Sequence, residues 1–180
     1  MIFFTSDHHF GHANVIKYCN RPFKDVIEMD RHMIDRWNAV VKPDDTVYYL
    51  GDFIFGSSQR KRDIAERLNG IKMLIKGNHD SGYKEGIHFS KIVDQLTINV
   101  AGQEVILNHY PYIGDHSEAD RFESRRPKAK WGKQWLLHGH CHTAWKVRDR
   151  MINVGVDQWD FSPVGIAAIE EIMMGQNENK

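Results

Sequence analysis

Five short polar motifs, each directly after a run of apolar residues, constrain the fold and chemistry of this chain more than any other feature. They begin at residues 7, 51, 77, 108 and 139 and read DHH, GD, GNHD, NH and GHCH. Their carboxylate, amide and imidazole groups suit two divalent ions of the first transition row. Two such ions, roughly 3.5–4 Å apart, activate a water and stabilise both oxygens of an in-line phosphoryl displacement. The motifs therefore favour hydrolysis of phosphate esters.

The position of the motifs predicts the fold. In α/β sheets, ligands bind outside the carboxyl ends of the strands, so motifs spread over residues 7–142 can meet at one edge. Predicted helices over residues 13–19, 28–41 and 57–68 alternate with strands in the first half, and the second half is mostly strand. We expect strands over residues 2–6, 46–50, 71–75, 92–100, 104–107, 134–137, 151–154 and 164–169. This order predicts an α/β fold: a four-layer α/β/β/α sandwich of two mixed β-sheets packed face to face, with helices outside.

The composition is typical of one globular domain. Hydrophobic residues make up 41% of the 180 residues and charged residues 27%, so the chain can bury a substantial core. Lys+Arg and Asp+Glu number 24 each, and this net charge of zero gives no argument for binding nucleic acid. We expect a single domain over residues 1–175 and a solvated tail over residues 176–180.

Several features favour the cytoplasm. The first residues read as a strand and lack the basic and apolar regions of a secretion signal. No run approaches the ~18 apolar residues that span a membrane, so we expect no membrane partner. Of the two cysteines, Cys19 and Cys141, the second stands between two candidate ligand histidines, where a disulfide would be awkward. A reduced intracellular protein is the simpler interpretation.

Taken in order, the motifs resemble those of the calcineurin-like metallophosphoesterases: D-x-H, G-D, G-N-H-[DE], H and G-H-x-H. All are present between residues 7 and 142, which is most of the chain. Residues 6–12 with Asn14, and residues 21–23, are similar to a subgroup of small phage and bacterial phosphoesterases. The resemblance implies a dinuclear hydrolase in which metal-activated water cleaves a phosphodiester or phosphomonoester of a small nucleotide-like or organic phosphate.

The resemblance also implies roles for individual residues. It gives a set of seven metal ligands: Asp7, His9 and His142 for the first ion, Asn78, His109 and His140 for the second, and Asp52 as a bridge. His79 would assist the leaving group, and Asp80 would orient His79. Of the ions that such ligands accept, we expect manganese first, with iron, nickel or zinc as alternatives.

Elementary chemistry agrees with these assignments. Side chains alternate along an extended segment, so Asp7 and His9 can reach one ion while His8 points elsewhere. A shared carboxylate offsets the repulsion of two dications, which suits Asp at position 52. An imidazole such as that of His79 is a suitable proton donor near neutral pH. His138, in contrast, is expected to end a strand and pack structurally.

Contacts with the substrate are predicted at three positions. His12 and Asn14 are placed to meet the phosphate or, alternatively, to cap the following helix. Arg126 belongs to a basic segment over residues 121–133, which should overhang the metal edge and attract a polyanionic substrate. The alternative for that segment is a solvated, mobile loop. Residues 112 and 131 are aromatic and could stack on a base or anchor the loop.

Two rival functions belong to different classes. A nuclease acting on DNA or RNA is possible because the family resembled includes such enzymes, but it is not favoured without a large basic surface. An inactive scaffold that keeps metal only to maintain a binding surface is the second rival, and the intact His79 argues against it. The expected partner is a small phosphorylated substrate, with a nucleotide as one candidate, and the protein is expected to be a monomer or homodimer.

Overall fold

The computed structural model describes residues 1–114, 122–128 and 134–177. Within these ranges the α-helices are α1 (Ala13–Tyr18), α2 (Val26–Val40), α3 (Ser58–Arg67) and α4 (Ile166–Asn177). The strands are β1 (Ile2–Thr5), β2 (Thr46–Tyr49), β3 (Ile71–Ile75), β4 (Lys91–Val93), β5 (Gln95–Val100), β6 (Gln103–Asn108), β7 (Trp135–His138), β8 (Val147–Arg148), β9 (Met151–Asn153) and β10 (Val164–Gly165).

The strands form two mixed sheets. In the first, the order is β10-β1-β2-β3-β4, with β1 to β4 parallel and β10 antiparallel to β1. In the second, the order is β5-β6-β7-β9-β8, with β6, β7 and β9 parallel and both edge strands antiparallel. The carboxyl ends of six parallel strands, β1, β2, β3, β6, β7 and β9, are therefore available to build a site. The predicted sandwich of two mixed sheets with helices is confirmed.

Alternation along the strands explains how the sheets and helices pack. In β1, Phe4 faces the core between the sheets, whereas Phe3 faces the core under the helices. The residues between the sheets come from both: Phe4, Leu50, Ile75, Val100, Val105, Leu107, Trp135, Leu137, Ile152, Val154 and Val164. Helix α2 covers the outer face of the first sheet with its buried stripe, which includes Met29, Met33 and Trp37. The parallel strands are packed against apolar residues on both faces, which stabilises the sheet edge that carries the motifs.

Two elements differ from the sequence prediction. The strand predicted over residues 92–100 is divided at Asp94, where the chain leaves β4 in the first sheet and enters β5 in the second. The strand predicted over residues 164–169 was wrong beyond Gly165, because helix α4 begins at Ile166. A short apolar run is compatible with either structure. Here Ile169 and Met173, one helical turn apart, enter the core between the sheets.

Smaller differences concern element ends. Helix α2 begins two residues before its predicted start because the Asp25 carboxylate accepts hydrogen bonds from the backbone N–H groups of Ile27 and Glu28. Helix α4 extends to Asn177, into the predicted tail, and residues 178–180 lie outside the described residues. The proposed domain limits stay a prediction. Among the described helices, none has the length and apolar character needed to cross a bilayer.

Candidate metal centre

The predicted ligands follow the parallel strands of both sheets. Asp7, Asp52 and Asn78 come after β1, β2 and β3, and His109 and His140 come after β6 and β7. The two sheet edges are joined at this point by a parallel bridge between residues 6 and 155, which extend β1 and β9. All of the motifs therefore converge on one edge, as the sequence predicted.

Left-handed backbone marks the site. Five of the seven predicted ligands have positive φ angles: Asp7 (58°), His9 (51°), Asp52 (59°), His140 (70°) and His142 (42°). This conformation costs on the order of 1–3 kcal/mol for a residue other than glycine and is concentrated at functional sites. The turns aim these side chains inward at the ends of the strands, so the fold stores strain where the motifs are.

Two motif glycines are required by close packing. A Cβ atom on Gly139 would lie 1.9 Å from Ser6 Oγ and 2.3 Å from Asp7 Oδ2. A Cβ atom on Gly77 would lie 2.2 Å from Asp52 Oδ1. All three distances are too short for a real Cβ atom, so only glycine fits at these two positions beside the carboxylates.

The side chains form two adjoining groups. Asp7, His9 and His142 bring ligand atoms within 4.8 Å of one another, which matches the predicted set for the first ion. In the second group, His109 Nε2 lies 3.3 Å from Asn78 Oδ1, and the rings of His109 and His140 are 5.1 Å apart. These contacts bring together the residues that the sequence assigned to each ion.

The carboxylate of Asp52 lies between the two groups. Its Oδ2 atom is 3.6 Å from His9 Nε2 on one side and 3.6 Å from His109 Nε2 on the other. Asp7 Oδ1 and both ring nitrogens of His9 are buried without a hydrogen-bond partner among the described residues. Buried polar atoms are normally satisfied, so this set of unpaired oxygen and nitrogen atoms fits divalent metal ions.

His79 and Asp80 occupy different environments. The His79 side chain is 43% exposed, against 4% for His9, and its Nε2 atom lies 3.9 Å from Asp52 Oδ2. Asp80 is turned inward, where its carboxylate accepts hydrogen bonds from the backbone N–H groups of Asp52, Phe53 and Gly77 at 2.7, 3.0 and 2.8 Å. The carboxylate of Asp80 thus holds the turn that carries Asp52, which differs from its predicted role of orienting the His79 ring.

Comparison with known proteins decides the family. Residues 1–167 match the calcineurin-like phosphoesterase superfamily domain. The chain belongs to this superfamily. The predicted enzyme class, a metal-dependent hydrolase of phosphate esters, is confirmed at that level.

The relatives of this phosphoesterase span nearly its whole length. An uncharacterized protein of Methanocaldococcus jannaschii is 36% identical, over 96% of this chain and 90% of the relative. The gene 66 protein of Mycobacterium phage L5 is 34% identical, over 87% of this chain and 86% of the relative. The crystal structure of a protein of unknown function from Aquifex aeolicus has a TM-score of 0.76 at 27% identity, covering 96% of this chain and 98% of that one.

Burial adjusts the protonation of the phosphoesterase ligands. The pKa of His9 is well below its usual value, first because the ring is buried and then because His142 and Arg21 are close. The ring is therefore neutral near pH 7, which is the form that binds metal. Burial raises the pKa of Asp52, and nearby His109 opposes that change. A dication beside Asp52 would favour the ionised carboxylate in the same way.

Arg21 and Asp157 are site residues that the sequence did not predict. The Arg21 guanidinium donates to Asp157 from Nε at 2.7 Å and from Nη2 at 2.9 Å. Asp157 Oδ2 also lies 3.0 Å from His142 Nδ1. Burial opposes charge on both partners, but their hydrogen bond raises the pKa of His142 to about 11, and with Arg21 it lowers the pKa of Asp157 to about 2. Asp157 follows β9, so a sixth strand end contributes to the site.

The histidines predicted to be structural are placed as expected. His8 is buried and turned away from the ligands, with Nδ1 2.7 Å from the Tyr49 hydroxyl and its ring stacked on Phe10. His138 is buried too, and its Nδ1 lies 2.8 Å from the carbonyl oxygen of Gly139. Burial lowers the pKa of His138 to about 4.

The predicted substrate contacts lie around the rim. His12 precedes helix α1 without a capping side-chain hydrogen bond, and its ring stacks on Phe55 with a centroid distance of 4.3 Å. Asn14 is exposed in the first turn of α1. Arg126 donates from Nη1 to the carbonyl oxygen of Pro111 at 2.9 Å. In the basic segment only residues 122–128 are described, so Arg121, Lys130, Trp131 and Lys133 lie outside the described residues.

Proposed function

We propose that this phosphoesterase uses two divalent ions to hydrolyse phosphodiester or phosphomonoester bonds in small organic phosphates, nucleotides included. The observation that carries the proposal is the position of Asp52. One of its oxygens is equally far, at 3.6 Å, from a histidine of the first group and a histidine of the second. A carboxylate that serves two ions requires such a position.

The ligand set also has a suitable charge. The two carboxylates, those of Asp7 and Asp52, contribute two negative charges against the four positive charges of two dications. The third oxygen ligand, the amide of Asn78, is neutral and leaves the centre net positive. Such a centre attracts a phosphate, and two bound ions would supply an activated water and stabilise charge on the phosphoryl oxygens.

His79 has the position of a proton donor to the leaving group. Its side chain is 43% exposed, against 4% for His9 and 0% for His109, so it can contact a substrate. Its backbone N–H donates to Asp52 Oδ1 at 2.9 Å, which fixes the main chain of His79 relative to the centre. In the proposed reaction a water loses a proton to solvent and its oxygen bonds to phosphorus, the bond from phosphorus to the leaving oxygen breaks, and His79 gives that oxygen a proton, which solvent then replaces.

The test removes metal with a chelator and restores it with Mn, Ni, Zn, Fe or Mg, manganese first. Each form is assayed on a chromogenic phosphate monoester and on the matching diester, with a short oligonucleotide as a third substrate. We expect two bound ions per chain and turnover of at least one small ester that depends on them. Turnover confined to the oligonucleotide would replace the small-molecule proposal with a nuclease. Two bound ions without turnover of any phosphate ester in a broad panel would contradict the proposed reaction.

A further inference from the structure

Behind the first group of ligands lies a buried ion pair whose role goes beyond packing. We infer that Asp157, held by Arg21, is a positioning residue that fixes the ring of His142 and thereby sets the affinity of the first metal site. The inference rests on the proposed use of two ions. Neither residue belongs to the five motifs.

The contact with His142 selects one tautomer. A carboxylate can only accept a hydrogen bond, so Asp157 Oδ2, at 3.0 Å, places the ring proton on His142 Nδ1. The lone pair of the neutral ring is then on Nε2, the nitrogen left to bind an ion. Ligand histidines commonly have such a partner, which fixes the ring and raises its basicity.

The same guanidinium also supports the other two ligands of the first ion. Arg21 Nη2 donates to the carbonyl oxygen of Asp7 at 2.7 Å, and Nη1 donates to that of His8 at 2.9 Å. These carbonyls belong to the turn in which both Asp7 and His9 have left-handed backbone. One buried side chain therefore connects the D-x-H turn with the partner of His142, and all three ligands depend on it.

The chemistry of the pair argues for positioning over stability. The side chains of Arg21 and Asp157 are 0% and 2% exposed. A buried ion pair loses so much hydration that apolar residues of the same volume are often as stable or more so. Only arginine supplies a planar fork with enough donors to reach a carboxylate and two carbonyls together. The pair is thus costly as packing and well suited to geometric control.

The experiment measures metal binding directly. Chelator-stripped wild-type protein and the Asp157→Asn variant are titrated with Mn²⁺ by calorimetry. The nearby Asp160→Asn variant is the control, because it breaks an exposed pair of the same kind, Arg36–Asp160 at 2.6 Å, with Asp160 80% exposed. We expect Asp157→Asn to lower the affinity for one of the two ions about 10–100-fold and to change the affinity for the other by no more than a few-fold. Asp160→Asn should match the wild type, and equal affinities in all three proteins would overturn the inference.

A double-variant cycle separates positioning from a general loss of structure. If Asp157 acts through His142, adding Asp157→Asn to His142→Ala should weaken Mn²⁺ binding little beyond His142→Ala alone. A further loss as large as in the wild-type background would overturn the inference. Should Asp157→Asn fail to fold, Arg21→Lys tests the same pair. We expect it to lower the affinity for one ion, and an affinity equal to that of the wild type would overturn the inference.

The two proposals can fail separately. If the wild type binds one ion, the dinuclear proposal fails, and the comparison with Asp157→Asn is still made on that ion. If the wild type binds two ions and turns over phosphate esters, unchanged binding in Asp157→Asn overturns the positioning role alone. If the wild type binds no ion, both fail.

Discussion

The two halves of the metal centre are supported in different ways. On the first side, the buried Arg21–Asp157 pair lies behind His142, and the Asp7 carboxylate accepts hydrogen bonds from Ser6 Oγ at 2.6 Å and from the His140 backbone at 3.0 Å. On the second side, His109 Nδ1 lies 2.7 Å from a neutral backbone carbonyl, that of residue 50. A charged pair therefore supports a ligand histidine on the first side, whereas the partner of His109 Nδ1 on the second side is a main-chain carbonyl.

Burial does not separate the two sides, because the side chains of Asp7, His9 and His109 are 0%, 4% and 0% exposed and that of His142 is 24% exposed. The second side is bordered by the short segment 122–128, where Phe122 meets the ring of His140 at a centroid distance of 5.2 Å. A carboxylate behind a ligand histidine raises its basicity more than a carbonyl does. We therefore expect the first ion to be held more tightly and the second to exchange more readily.

Loss of the Asp52 carboxylate should have the largest effect, because this group serves both sides of the centre. Asp52→Asn replaces the shared carboxylate by a neutral amide and leaves two dications without the charge that offsets their repulsion. We expect metal occupancy to fall at both ions and turnover to fall by more than the ~10²–10⁴-fold that loss of a general acid causes. Elemental analysis and kcat on the diester measure the two effects. Full occupancy of both ions in this variant would remove Asp52 from the bridging position.

Loss of His79 should leave both sides intact and affect only the reaction. His79→Ala is expected to lower kcat by ~10²–10⁴-fold, the usual range for a general acid, with both ions still bound. The effect should shrink on a substrate whose leaving group needs no proton, so esters of acidic and weakly acidic phenols are compared. An equal loss on both substrates would contradict the proton-donor role.

A smaller effect is expected from the turn that carries His140 and His142. In Gly139→Ala the new Cβ would collide with Ser6 and Asp7, so the turn must move. We expect a loss of about 1–3 kcal/mol in the free energy of unfolding, typical of overpacking, and weaker binding of one ion. Gly175→Ala is the matched control, because its Cβ would have no atom within 4 Å. Urea denaturation and Mn²⁺ titration of both variants measure the difference. Equal behaviour of the two would show that the Gly139 turn tolerates a side chain.

The convergence of the motifs could be predicted because each motif follows a recognisable strand. An apolar run that ends in a polar motif fixes the position of the motif in the sheet, and convergence follows from the parallel arrangement. The orientation of His8 could be predicted as well, since alternation depends only on the backbone. The division of the candidate ligands between two ions, in contrast, came from the family resemblance.

What was missed depends on contacts between distant segments. Asp157 follows the strand predicted over residues 151–154 and lies two residues after a glycine, but a single acidic residue after a strand is equally typical of a solvated loop. Arg21 belongs to the segment 21–23 that supports the family resemblance, but its role was not predicted because two of its acceptors are main-chain carbonyls. The error at residues 164–169 has a related cause. That short run is apolar throughout, and only its packing between the sheets selects a helix.

The smallest expected effect tests the second side. Arg126 donates to the carbonyl oxygen of Pro111 and belongs to the segment 122–128, whose Phe122 contacts the ring of His140 on the second side. A contact at a partly exposed surface is worth about 0–1 kcal/mol, so Arg126→Ala should raise KM by no more than about fivefold and leave kcat unchanged. Arg125→Ala is the neighbouring control, since Arg125 donates to the Tyr110 hydroxyl at 3.2 Å, and the Tyr110 ring lies 5.0 Å from that of His140. If Arg126→Ala alone raised KM a hundredfold on an anionic substrate, the second side would be a rigid substrate clamp. The expected contrast between a tightly held first ion and a more readily exchanged second ion would then be wrong.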